Sequence, residues 1–264
     1  MASRSPNTET SSWLKHEEYI RALREQAARF SEVLRRSPSD APVPSCPGWT
    51  ALDLVRHVVQ VYAHKAAVLR AAGEAVAGGD VEAAAQVAFP LALERHDAVV
   101  TDLAALLAEL DPRSLAWTWM EGAGESTVGA WARRMAHEAM VHRIDAELTA
   151  GGQVSRVDDA LAIDGINEVL TWMAGDPDIV VSNEAAAGAP GTVLLDYGSG
   201  SWLVELGPGT HLVTAAESNR VADVRISASP MALDLLLWGR PSPVSWPEAA
   251  VVDRLRARIA KSLA

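Results

Sequence analysis

Cysteine is almost missing from this chain of 264 residues: Cys46 stands alone. An intramolecular disulfide framework and a cysteine-rich metal site are therefore excluded, and any thiol chemistry must use Cys46 or a small-molecule thiol. Phenylalanine (2), tyrosine (3) and lysine are scarce too, while alanine, valine and arginine abound. Positive charge is in deficit, with 23 Lys and Arg against 34 Asp and Glu, a formal net charge of −11. That balance disfavours nonspecific binding to nucleic acid or anionic membranes and mainly favours solubility. No apolar run approaches the roughly 18 residues of a membrane-spanning helix. Residues 1–12 (MASRSPNTETSS) have no apolar core region, so they read as a disordered lead-in rather than a signal peptide. A cytoplasmic location is expected.

What the chain has is core-forming material: 49% of its residues are hydrophobic and 22% charged, the balance of an ordinary globular protein. Two regimes follow one another. From Trp13 to about Gly175 the periodicity is helical. A first helix is expected over 13–36. A second follows "SCPGWT", with Thr50 and Asp53 as a capping pair and Leu54, Val58, Val61 and Tyr62 at helical spacing. A third is expected over 81–110 with a break at Pro90. A fourth runs from "GEST" to about Ala150, where Gly151 and Gly152 stop it, and a shorter fifth covers 157–174. Long helices with modest loops predict a four-helix bundle over 13–175. After the Gly-, Pro- and Ala-rich "AGDPDIVVSNEAAAGAPG" the signal changes to short alternating runs, "TVLLDY", "SWLVELG", "HLVTAA" and "DVRISA". These are strand signals with hairpin punctuation. Helices at 231–238 and 247–263 complete a small α+β domain over 190–264. The expected fold class is thus α + α/β, a helical bundle followed by a small mixed domain.

The chemistry concentrates in "RRMAHEAMVHRIDAEL", residues 133–148. It resembles the H-E-x-x-H of zinc peptidases with the second histidine one place late. His137 and His142 are five residues apart, about 140° around a helix, and cannot share a face. Glu138 and His142 are four apart, about 40° around the axis, and point the same way. One carboxylate oxygen and one imidazole suit zinc or another divalent transition metal, but a third ligand must come from elsewhere. The helix "DLVRHVVQVYAHK" offers two candidates, His57 and His64. Either would complete a His2Glu set with an open coordination position, the pattern of catalytic zinc. Asp53 and Asp145 are placed to orient an imidazole, although Asp53 is better read as a helix cap. Arg133 and Arg134 read as the polar face of their helix, and Cys46 as a small residue in a turn. Trp49, Trp131 and Trp238 read as core packing that could also line a pocket.

Three stretches carry a family resemblance: "VPSCPGWTALDLVRHV", "STVGAWARRMAHEAMVHRIDAEL" and "DVRISASPMALDLLLWGRPSP". Together they resemble the mycothiol-dependent maleylpyruvate isomerase family, whose N-terminal half is a DinB-like four-helix bundle. The resemblance implies zinc ligands at His57, Glu138 and His142, so His57 rather than His64. It also implies an arginine of the smaller domain that serves activity, Arg240 in "LLLWGR" before Arg225. The implied cofactors are zinc, or another divalent metal, and mycothiol, a sugar-linked cysteine thiol of actinobacteria. The implied function is activation of that thiol for attack on an electrophilic small molecule, by S-transfer or by thiol-assisted cis–trans isomerisation, with S-transfer preferred. The competing readings are maleylpyruvate isomerase proper, metal-activated hydrolysis of a thiol conjugate, and a non-catalytic metal-binding or regulatory module. The expected partners are the electrophile and the thiol, with no nucleic acid and no membrane, and the expected state is a monomer or homodimer.

Overall fold

In the computed structural model of the chain, the residues described are 13–72, 74, 87–118, 126–174, 190–207 and 210–262. The expected lead-in, most of the Gly/Pro/Ala-rich crossing and the first residues of the expected third helix lie outside them. Four long helices come first: α1 (His16–Leu34), α2 (Ala51–Arg70), α3 (Phe89–Glu109) and α4 (Val128–Thr149). α1 packs on α4 and α3, and α2 packs on α3 and α4, which closes the expected bundle.

The helix ends follow local chemistry. Thr50 and Asp53 form a reciprocal capping box: the Thr50 side chain accepts from Asp53 N, and Asp53 accepts from Thr50 N at 2.9 Å. Thr127 caps α4 by accepting from Ala130 N at 3.2 Å. Pro90 does not interrupt α3 but sits in its first turn, where a missing N–H costs nothing because that donor has no helical partner.

α4 is buried all round. Of its residues only Gly129, Glu138, Leu148 and Thr149 are not fully buried. Its charges survive there because they are paired. Arg143 donates to Glu147 Oε2 at 2.7 Å and to Ser155 O at 3.0 Å, while Glu147 accepts from Ser155 N at 2.8 Å and from Arg29 Nε at 3.0 Å. This network ties the segment after α4 back onto the bundle.

The described residues from 157 onward form a second compact unit. It contains α5 (Asp159–Glu168), which runs on as a π-helical turn over Val169–Met173. Strands β1 (Gly191–Asp196), β2 (Ser201–Gly207), β3 (Thr210–Ala216) and β4 (Val224–Ser227) follow, then α6 (Pro230–Leu237) and α7 (Ala250–Ser262). The sheet order is β3-β2-β1-β4: two antiparallel hairpins, with β4 parallel to β1. The four strand signals thus became four strands. The "WGR" turn closes α6: Gly239 takes a φ of +67°, and Arg240 N donates to Leu235 O at 2.9 Å.

One expectation changes. The fifth helix was read as part of a bundle over 13–175, yet α5 packs against α6 and groups with the C-terminal unit. Gly165 permits that approach, since a Cβ there would stand 2.8 Å from Asp234 Oδ1. Among the described residues, no helix is long and apolar enough to cross a membrane.

Candidate metal centre

α2 and α4 bring three potential ligands together inside the bundle. One donor atom each from His57, Glu138 and His142 lies within 4.8 Å of the other two, and this is the set among the described residues that could hold a metal ion. His142 Nε2 lies 3.0 Å from Glu138 Oε1, and His57 Nε2 lies 3.6 Å from the same oxygen. The two imidazole rings meet edge to face at 5.0 Å between centroids. Two ring nitrogens therefore converge on one carboxylate oxygen. The centre is not sealed: the side chain of His57 is 36% exposed, against 12% for Glu138 and 10% for His142. Solvent or a small ligand reaches it from the His57 side.

The surrounding residues fix these three. Arg134, one turn before Glu138, pairs with Glu138 Oε2, leaving Oε1 for the histidines. His142 Nδ1 donates to Asp145 Oδ2 at 2.9 Å, and Asp145 is completely buried. Ser45 Oγ donates to Asp145 Oδ1 at 2.5 Å, and the Cys46 thiol lies 3.9 Å from Oδ2. Trp49 lays its ring 4.9 Å from that of His57.

The electrostatics of the three side chains are strongly coupled. Burial would raise the Glu138 carboxyl, but Arg134 and the charge and hydrogen bond of His142, with His57 nearby, outweigh it and hold it well below the usual carboxylate range. Burial likewise opposes charge on His142, yet Glu138 and Asp145 win and push it up to about 9. At neutral pH a proton on His142 stands where a cation could. The donor set of two imidazole nitrogens and one carboxylate oxygen suits zinc or a similar divalent ion, so the residues present fit such a group.

The remaining candidates sort themselves out. His137 is fully buried edge-on to Tyr19, with ring centroids 6.3 Å apart, and is not part of the cluster. His64 lies with Nδ1 3.0 Å from Lys65 Nζ and also stays outside it. Burial lowers the Lys65 ammonium to about 8, against the pull of Glu138. Asp53 serves as a cap, as expected. Trp131 is core, its indole N–H donating to Trp117 O at 3.0 Å. The reading of Arg133 and Arg134 as a polar face is overturned. They are 1% and 6% exposed, with Arg133 over the Trp13 ring and Arg134 on Glu138. The spacing i−4 from Glu138 was the available signal for Arg134, but a helix read as solvated hid it. Ser45 was missed altogether; nothing local links it to a residue a hundred positions later. In the C-terminal unit, Arg240 donates to Trp238 O at 2.8 Å, and Arg225 pairs with Asp196 at 2.8 Å.

Residues 20–147 match the family described as the mycothiol maleylpyruvate isomerase N-terminal domain. Two solved structures share the fold over most of their length. A crystal structure of the mycothiol-dependent maleylpyruvate isomerase aligns with a TM-score of 0.59 and 16% identity, covering 87% of this chain and 91% of that one. A histidine-to-alanine mutant of the mycothiol-dependent maleylpyruvate isomerase aligns at 0.57 and 14%, covering 84% and 88%. No curated protein matches the chain in sequence. The bundle is thus similar to that family's N-terminal domain, and the chain as a whole shares the fold of the two isomerase structures.

Proposed function

We propose that this protein is a metal-dependent enzyme that activates a low-molecular-weight thiol, mycothiol, for attack on an electrophilic small molecule. The observation that carries the reading is the convergence of His57, Glu138 and His142 at a buried but accessible point. A divalent ion held there, zinc by preference of the donor set, would supply Lewis acidity and lower the pKa of a thiol that reaches it.

The chain's own residues have distinct tasks. His57 and His142 offer neutral nitrogens and Glu138 an anionic oxygen. Arg134 keeps Glu138 ionised and turned, with one oxygen engaged and the other presented. The exposed flank of His57 is the side from which thiol and electrophile enter. In the proposed reaction a carbon–sulfur bond forms as the sulfur pair attacks an electron-poor carbon. If a leaving group departs, the product is a thioether. If an activated double bond takes up the sulfur, rotates and expels it, the product is the geometric isomer and the thiol is regenerated. The same ligand set serves either outcome, and pocket shape decides between them. S-transfer is our first choice. The neighbours' described activity supports the isomerase outcome as the alternative.

Arg240 is our candidate for the arginine of the smaller domain that the family resemblance implies serves activity. The family resemblance ranks Arg225 behind it; both guanidinium groups are engaged, Arg225 with Asp196 and Arg220 O and Arg240 with Trp238 O. We further assign the protein to the cytoplasm, where a reduced thiol pool is maintained.

The test is direct. Protein purified without chelator is expected to hold zinc near one equivalent. With mycothiol it should accelerate conjugation of monochlorobimane-type electrophiles or isomerisation of maleylpyruvate, assayed separately. Thioether or isomer as the only product, read by mass spectrometry, excludes hydrolysis. Absence of any rate above background with every electrophile and with maleylpyruvate would sink the enzyme reading. It would leave a metal-binding module.

A further inference from the structure

Asp145 meets His142 within its own helix and meets Ser45 and Cys46 from a turn far earlier in the chain. Asp145 has no solvent exposure, and both its carboxyl oxygens are used. Oδ2 accepts from His142 Nδ1 at 2.9 Å and faces the Cys46 thiol, while Oδ1 accepts from Ser45 Oγ at 2.5 Å. A tether between the turn and the helix would need only one of those oxygens. Using the second on Nδ1 has a chemical consequence. It places the ring proton on Nδ1 and turns Nε2, with its lone pair once deprotonated, toward Glu138 and His57.

The turn that supplies Ser45 is itself braced. Cys46 N donates to Val43 O at 3.1 Å, Trp49 N to Cys46 O at 3.0 Å and Val43 N back to Trp49 O at 2.9 Å. Gly48, at a φ of +87°, lets the chain close in a conformation that side chains resist. The turn then runs through the Thr50 cap into α2, two turns before His57. Trp49 of the same turn stands against the His57 ring at 4.9 Å. One short segment thus bears on both imidazoles of the centre.

We propose that the Ser45–Trp49 turn is the outer support of the metal centre, acting as a relay in which Ser45 fixes Asp145 and Asp145 fixes His142. Asp145 and Ser45 are positioning residues, and the inference rests on the metal reading above. A buried carboxylate behind a histidine ligand raises its basicity and holds its orientation, and loss of such a partner typically lowers metal affinity about 10- to 100-fold.

The experiment uses the full chain, with zinc affinity from chelator competition and the visible bands of the cobalt(II) form as readouts. Asp145→Asn is expected to weaken zinc about 10- to 100-fold and to shift the cobalt bands. Ser45→Ala should weaken it several-fold, on the order of the lower end of that range, and Ser45→Thr should restore it. Melting of the metal-free variants is followed in parallel. If Asp145→Asn does not fold, the Ser45→Ala and Ser45→Thr pair decides. Variants that lose metal-free stability while keeping wild-type affinity and wild-type cobalt bands overturn the relay and leave a structural tether. Wild-type protein that takes up neither zinc nor cobalt overturns the metal reading and the relay with it.

Discussion

The bundle buries two histidine–carboxylate clusters, and they behave in opposite ways. At the centre between α2 and α4, two imidazoles converge on Glu138 and His142 is pushed up to about 9. Between α1 and α3, Ser31, His96 and Asp97 form the other cluster. There His96 Nδ1 lies 2.8 Å from Ser31 Oγ, and Ser31 Oγ donates to Asp97 Oδ1 at 2.6 Å. Burial lowers the His96 imidazole despite its contact with Asp97. Its Nε2 is buried with no partner, and its ring stacks on Phe30 at 4.7 Å. Residue types are nearly the same; what differs is where the second ring nitrogen points. In one cluster it meets other ligands at an accessible point, and in the other it is buried without a hydrogen-bond partner. A ligand site therefore needs convergent lone pairs, whereas a core bracket needs only one satisfied nitrogen.

The sharpest break in this comparison comes from exchanging the histidines for alanine. His57→Ala is expected to lower zinc affinity by more than about 100-fold, beyond the range for residues that only support a ligand. His96→Ala should leave zinc content unchanged. Metal analysis by mass spectrometry after chelator-free purification reads both. Equal zinc in the two variants would erase the distinction between site and bracket.

Stability should invert the ranking. His96 is 1% exposed and packs against Phe30 and Tyr62, so its removal leaves a cavity costing about 3 kcal/mol. The half-exposed edge of His57 makes its loss cheaper in the metal-free protein. Urea denaturation of both variants in chelator checks the order, and a larger loss for His57→Ala would contradict it.

How much of this was readable in the sequence depends on which physical signal each residue carried. Glu138 and His142 were legible because helical periodicity alone puts residues four apart on one face. His137 was excluded by the same arithmetic. The third ligand was not: His57 and His64 were equivalent by pattern, and only the family resemblance separated them. The spacing of three from His142 had already marked Asp145, whereas Arg134 was obscured because α4 has no apolar stripe. Its interspersed charges look like a solvated face, and only tertiary partners reveal that the helix is buried all round. The strands were legible from alternation. The fifth helix was found, but not its partner, since periodicity tells which face is apolar and not what covers it.

Acidity offers a finer discrimination. With His142 protonated below about pH 9 in the metal-free protein, zinc binding at pH 7 should release about one proton from it. Zinc affinity should then rise by about tenfold per pH unit up to about 9 and flatten above, because the competing proton is gone. His96, lowered by burial, is neutral at pH 7 and adds nothing to this count. Calorimetry in two buffers of different ionisation enthalpy measures the released protons. A value near zero would mean that His142 is already neutral before metal arrives.

The smallest effect should come from Ser31→Ala, and its smallness is the point. Ser31 accepts from His96 Nδ1 and donates to Asp97, so deleting its hydroxyl opens both bonds. His96 Nδ1 already lies 3.3 Å from Asp97 Oδ1, however, and can take over as direct donor. The expected cost is therefore about 1 kcal/mol, that of one hydrogen bond rather than of an unsatisfied buried pair. It should depend on pH in a defined direction. The Asp97 carboxyl is held below its ordinary value, first by His96 and then by Ser31 and Arg35 against its desolvation. A depressed carboxylate contributes stability above its unfolded value of 3.8 and loses it as pH falls through the folded one. Removing Ser31 raises the folded value, so the Ser31→Ala variant should unfold at a less acidic pH than wild type. Acid titration followed by circular dichroism measures this. The metal centre should not register the change, because its histidines answer to Glu138 and Asp145.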